Sequence, residues 1–368
     1  MKRITALIVL SVLLSHSWPI QAAENEEFRA VVLEVKEERT VETETNSPIQ
    51  QQKLLVRATE GERDGEEILI DGFDDVVVVG QAKYSPGDKV IVSVNTLPDG
   101  TEQFFVADFV RTTPLWWLAV AFVIAVISIG RWHGFRSLIV LTGSFIIILL
   151  FLIPWILDGM NPVLASVICG LVILLLAVFV TEGYNAKSRA AFVSLVFTFG
   201  LLLVLSLVFT YWSKLTGYSG DETLFLLGLE DSVINLQGLL LAGIIIGTLG
   251  ILDDVVISQV STVAELRRAN PRLSPRQLFS MAMRVGRDHI SAVINTLFLA
   301  YAGSALPVLV LFSADTAVSL SLSQVLNNEL IATEIVRALT GSIVLVLAVP
   351  ISTAFATLRF QSHGAKGG

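Results

Sequence analysis

The chain has one cysteine, Cys169, in 368 residues. An intrachain disulfide is excluded, and no group of cysteines and histidines has metal-ligand spacing. Residues 24–113 contain neither histidine nor cysteine. No zincin-type HExxH is present, and no enzymatic activity, cofactor or metal is expected. Basic side chains are scarce inside the apolar runs: Arg189, Arg284, Arg287 and Arg337 fall at their ends or between them. No stretch repeats another.

What is abundant is apolar surface. Hydrophobic residues make up 53% of the chain, and mean hydropathy is +0.71. That composition belongs to membrane proteins. The distribution is uneven: residues 24–113 read as a polar domain, and almost everything after Pro114 is apolar. The N-terminus has a basic start, a short apolar stretch from Ile4 to Leu14 and small residues at Ala22 and Ala23. It reads as a signal peptide over residues 1–23, with an uncleaved anchor as the alternative.

Seven segments are expected to span a bilayer: Leu115–Gly130, Ser137–Leu157, Val163–Thr181, Ala190–Tyr211, Leu236–Val260, Ile290–Phe312 and Ile335–Leu358. Trp116 and Trp117 suit an interfacial aromatic belt. The loops "RWHGFR" and "EGYNAKSR", the stretch from Glu265 to His289 and the tail 359–368 hold most of the lysine and arginine. By the positive-inside rule they are cytoplasmic, which places residues 24–113 outside. The expected location is a membrane bordering the cytoplasm, with the C-terminus on the cytoplasmic side. Pro154 and Pro350 are expected to kink their helices.

Residues 24–113 alternate β-rich runs ("FRAVVLEV", "QKLLVRAT", "EEILI", "DKVIVSV", "EQFFVADFVR") with turns such as "YSPGD" and "LPDG". Five short strands imply a small barrel or sandwich, an OB-like barrel among the forms expected. An OB-like barrel raises nucleic acid as a partner, but 20 acids against 9 bases have the wrong sign for phosphate. The fold class is thus an α-helical polytopic membrane protein with a small extracytoplasmic β domain.

Two adjacent acids interrupt the run "GIIIGTLGILDDVVISQV". Gly243, Gly247, Gly250, Asp254 and Ser258 recur at helical spacing and share one face, a helix-packing face by composition. Asp253 is turned roughly 100° away, beside Leu249 and Ile257. The pair falls in the inner half of the membrane. An intramembrane carboxylate costs about 2.5–3.5 kcal/mol on insertion scales, and such groups usually face a bundle interior or a wet cavity. Asp254 and Asp253 are therefore the proton-coupling candidates. Asn295, Thr296 and Tyr301 are candidate polar partners on the next span. Aspartyl intramembrane proteases need acids on two helices, which this pair does not supply.

Ser274, Pro275 and Gln277 form a helix start. Residues 274–288 then read as an amphipathic helix on the inner leaflet, with Leu278, Met281, Ala282 and Val285 on one face and Arg276, Arg284 and Arg287 on another. Glu182 and Lys187 read as interfacial. His289 reads as a helix-start residue at the interface rather than a proton shuttle.

Together, "DFVRTTPLWWL", "TEGYNAKSRAA" and "GTLGILDDVVISQVSTVAELRRANP" resemble the YibE/F family of membrane proteins. The resemblance covers nearly the whole chain and implies a bacterial membrane protein without an assigned activity. More distantly, residues 243–312 are similar to the transmembrane cores of SecD/SecF and resistance-nodulation-division exporters. In those proteins, acids matching Asp253 and Asp254 carry proton-motive coupling. Two departures stand out: no basic partner lies inside a span, and the chain has one half where those exporters have two. The resemblance therefore implies a homodimer, or a heterodimer with a related membrane protein, acting in transport. The alternative is a scaffold presenting the β domain to a partner. No motif identifies a substrate.

Overall fold

The computed structural model describes residues 27–42, 48–73, 83–97, 100–218, 226, 234–313 and 321–361. The expected signal peptide lies outside them. The chain divides into two compact units, Met1–Phe122 and Val123–Gly368.

The first unit is built on one antiparallel sheet of five strands: β1 (Glu27–Glu42), β2 (Pro48–Ala58), β3 (Glu67–Asp71), β4 (Lys89–Thr96) and β5 (Glu102–Phe109). The order is β3-β2-β1-β4-β5. Alternate residues turn inward: Phe28, Ala30 and Val32 of β1 meet Leu54, Val56 and Ala58 of β2 and Val90, Val92 and Val94 of β4. The register shifts between Val32 and Glu34 and again between Val35 and Glu37. Such bulges bend a strand and increase its twist. The two outer strands, β3 and β5, also approach each other, so the sheet curls.

Helix α1 (Thr112–Ile147) runs into a π-helical turn, Ile148–Leu152, and the short α2 (Ile153–Leu157). Pro154, at the start of α2, has no N–H, and the π turn falls where that donor is missing. Within α1, Arg131 adopts φ 50° and ψ −128°, which interrupts the helix. A Cβ on Gly134 would lie 2.3 Å from the carbonyl oxygen of Val126. The chain therefore turns sharply at "RWHGFR", between the first two expected spans, and only glycine fits at position 134.

Four further long helices follow: α3 (Pro162–Thr181), α4 (Ala186–Trp212), α5 (Leu236–Ala269) and α6 (Pro275–Ser304). After them come α7 (Leu306–Ser313), α8 (Leu322–Asn327) and α9 (Glu329–Gln361). Among the described residues, five helical stretches are long and apolar enough to cross a membrane: Thr112–Leu157, α3, α4, α5 and Glu329–Phe360. The first contains two of the seven expected spans. The expected span Ile290–Phe312 is not among the five. It begins inside α6 and is divided at Ala305, where α6 ends and α7 begins.

Helix α5 is the centre of the second unit and packs against α3, α4, α6 and α9. Its buried side carries Ile245, Leu249, Leu252, Val256 and Val260. Close approach is set by single glycines. A Cβ on Gly170 of α3 would stand 2.9 Å from Phe199 and 3.0 Å from Leu249. One on Gly286 of α6 would stand 2.5 Å from Val349 and 2.9 Å from Gln259. Gln259 is buried, and its Nε2 donates to the Ala282 carbonyl at 3.1 Å and to Thr353 Oγ1 at 2.7 Å. One amide therefore ties α5, α6 and α9 together.

Candidate functional site

The acidic pair sits well inside α5. Asn235 caps the helix through the Gly238 N–H. Asp253 lies 17 residues beyond Leu236, or about 26 Å at 1.5 Å per residue. The helix leaves no side-chain freedom to separate the two acids, and the Asp254 N–H donates to Asp253 Oδ1 at 3.0 Å. The helical rotation places them differently. Asp253 is half-buried, toward the packed side, and Asp254 is exposed.

Gly243, Gly247, Gly250 and Ser258 are exposed on the same face as Asp254. Nothing lies within 4 Å of where a Cβ would stand on any of the three glycines. The face read as a helix-packing surface thus packs against no helix of this chain among the described residues. Gly170 and Gly286, which do set close helix contacts, stand alone in the sequence and belong to no stripe.

The polar partners distribute otherwise than expected. Asn295 and Thr296 are exposed, and the Thr296 hydroxyl donates to its own helix, at the Ala292 carbonyl, 3.0 Å away. Tyr301 stands beside Thr248, with Glu334 and Arg337 in electrostatic reach. His289 is not a helix-start residue. It lies in the middle of α6, since the helix runs unbroken from Pro275 through the stretch expected to divide a surface helix from a span. The Ser274–Gln277 capping box forms as read. The antiparallel packing of α5 and α6, with Gln259 against Gly286 and Thr248 against Tyr301, brings His289 to the level of the acids. There the imidazole comes within electrostatic range of the Asp254 carboxylate, with no hydrogen bond or ion pair between them among the described residues.

Arg337 also departs from its expected place at a span end. It lies eight residues into α9, about 12 Å along the axis. Its Nη1 donates to Glu334 Oε1 at 2.7 Å, and both side chains are half-buried. The i, i+3 spacing of Glu334 and Arg337 was the only sequence signal for this pair. Its depth follows from the start of α9 at Glu329, whose carboxylate accepts from the Thr216 and Gly217 N–H groups at 2.6 and 2.9 Å.

A family model described as YibE/F-like protein matches residues 118–362. The match begins just after the described sheet and takes in α3 to α9 complete, the acidic pair included. No curated protein and no solved structure matches.

Proposed function

This chain belongs to the YibE/F-like family, and from that premise we propose that it is a proton-coupled transport or export-energising subunit that works through Asp254 and Asp253. The observation that carries the reading is the exposed Asp254 on a glycine face that no helix packs against among the described residues, inside a helix long and apolar enough to cross a membrane. A carboxylate there is costly against lipid and is kept where it faces water or another protein. The face therefore belongs at a contact with a second copy or a related membrane protein, and three glycines permit close backbone approach. His289, at the level of the acids on α6, is the candidate proton partner that the span interiors lacked in sequence. Protons would pass between Asp254, His289 and Asp253, and the chain acts without enzymatic chemistry or a cofactor.

In this reading the protein resides in the bacterial cytoplasmic membrane after removal of residues 1–23, with the sheet outside and the C-terminus inside. The outside domain is an OB-like barrel. Five antiparallel strands whose outer members approach each other support a partly open barrel. Its acidity argues against nucleic acid as a partner.

A second reading, a scaffold that presents this domain to a partner protein, draws on the same acidic surface. The two separate in one experiment. Asp254→Asn keeps size and hydrogen bonding but removes titration. In vesicles with an imposed pH gradient, it should abolish gradient-driven activity at unchanged protein level and melting temperature. Asp253→Asn should have a comparable or smaller effect. Full gradient-dependent activity in the double variant would sink the coupling role, and a parallel fall in protein level would assign the acids to structure.

A further inference from the structure

Backbone that leaves the helix at membrane depth must be buried in protein or line a cavity, because lipid offers it no hydrogen bonds. The chain is interrupted between α6, ending at Ser304, and α7, beginning at Leu306, although the Ala305 N–H still donates to the Tyr301 carbonyl and its carbonyl accepts from Leu309, each at 3.0 Å. Pro307 has no N–H to continue the ladder. Two adjoining cavities lie against this break. One, about 320 Å³, is lined by Ser304, Val308, Leu330, Glu334 and Arg337. The other, about 220 Å³, is walled by Phe298, Tyr301, Ala302, Ile335 and Leu339. They share Ala305, Ile331 and Glu334. A charged end thus opens into an apolar one, and the two together reach the size of small-molecule sites, roughly 300–1,000 Å³.

The charges are the informative part. An ion pair inside a span is expensive, and apolar residues of similar volume usually serve stability as well or better. This pair is also incomplete: Glu334 Oε2 and Arg337 Nε are buried without a hydrogen-bond partner among the described residues. A ligand that carried only an anion would meet Glu334, and one that carried only a cation would meet Arg337. A headgroup with both charges complements both. Sites between discontinuous helices are a recurring arrangement in transporters.

We propose that the paired cavities bind a zwitterionic amphiphile, its cationic N–H and anionic oxygen at Glu334 and Arg337 and its apolar body beside Phe298, Ile335 and Leu339. The chemistry has two sources: a membrane lipid with an ammonium-phosphate headgroup, or a soluble apolar amino acid. The proposal rests on the membrane reading of the helices but not on proton coupling, and its test uses no pH gradient.

The full chain, purified in mild detergent, is titrated by native mass spectrometry with phosphatidylethanolamine, phosphatidylglycerol and leucine. Phosphatidylethanolamine should bind saturably and at least tenfold more tightly than phosphatidylglycerol, which lacks the ammonium. R337Q should weaken that binding tenfold or more. So should A302W, which fills the apolar cavity and leaves the ion pair untouched; it decides the matter alone if R337Q fails to fold. Leucine competing for the site, and losing affinity in the same variants, would support the site with the soluble source as its ligand. Equal binding of the two lipids, no zwitterion binding at all, or unchanged affinity in folded A302W would overturn the proposal.

Discussion

At the scale of single residues, identity fixes little until the neighbour is known. Gly243, Gly247 and Gly250 announce themselves by spacing, yet each has open space where a Cβ would go. Gly286 carries no pattern, yet Val349 and Gln259 press on it from α9 and α5. Those partners are 63 and 27 positions away along the chain, beyond any local pattern. Gly286→Val should therefore destabilise the second unit by about 1–3 kcal/mol through overpacking. Gly250→Ala should cost nothing and can gain from helix propensity. Denaturant unfolding in detergent, followed by circular dichroism, compares the two. The acids were legible because carboxylates are rare in apolar runs. His289 was not, because its position depends on how α6 runs past α5.

At the scale of elements, the five strands were readable from alternation and turn residues. Local pattern suffices where one face of a strand is buried and the other is wet. Their bulges and curl were not readable. Helix α6 shows the opposite outcome: Arg284, Arg287 and Asp288 suggested a boundary near 289, but the helix continues through them and breaks at Ala305 instead. Charges do not end a helix when they are exposed, whereas the missing N–H of Pro307 does disturb it. Ion pairing across strands makes a further expectation. A hydrogen bond from Lys53, opposite it on β2, is the main cause that holds the Asp71 carboxyl below its ordinary value. Arg111 does the same for Asp108. For both, the folded state has the lower pKa, so their stabilisation is present above the unfolded carboxylate value. It is lost as pH falls through the folded value. Residues 24–113, expressed alone, should fold into a β domain whose urea midpoint drops from pH 6 to pH 3. Asp71→Asn should narrow that drop; an equal or larger drop in the variant would count against the pair.

At the scale of the whole molecule, the open face of α5 points to assembly. Among the described residues nothing lies within 4 Å of a Cβ on Gly247, so Gly247→Cys should fold normally and, in native membranes, form an intermolecular disulfide under mild oxidation. Gly247→Trp should leave the helical circular dichroism of the single chain unchanged and abolish the dimer on native mass spectrometry. Wild-type protein that is monomeric there and yields no cross-link would remove the symmetric contact. The sequence showed the stripe but could not show that it stays uncovered, since that depends on where every other helix lies.

The divided segment at Ala305 also bears on how the chain is made. Residues 275–313 leave the ribosome before α9 does. Exposed polar groups at Ser291, Asn295 and Thr296 and the break at Ala305 give this stretch a weak partition into lipid on its own. Helix α6, whose narrow buried stripe is Leu278, Ala282, Gly286 and Leu297, packs more extensively against α9 than against α5. Packing of α6 would then be completed from the C-terminal end: a nascent chain stalled before residue 329 should leave Leu278, Ala282 and Gly286 more accessible to a labelling reagent than the full chain does.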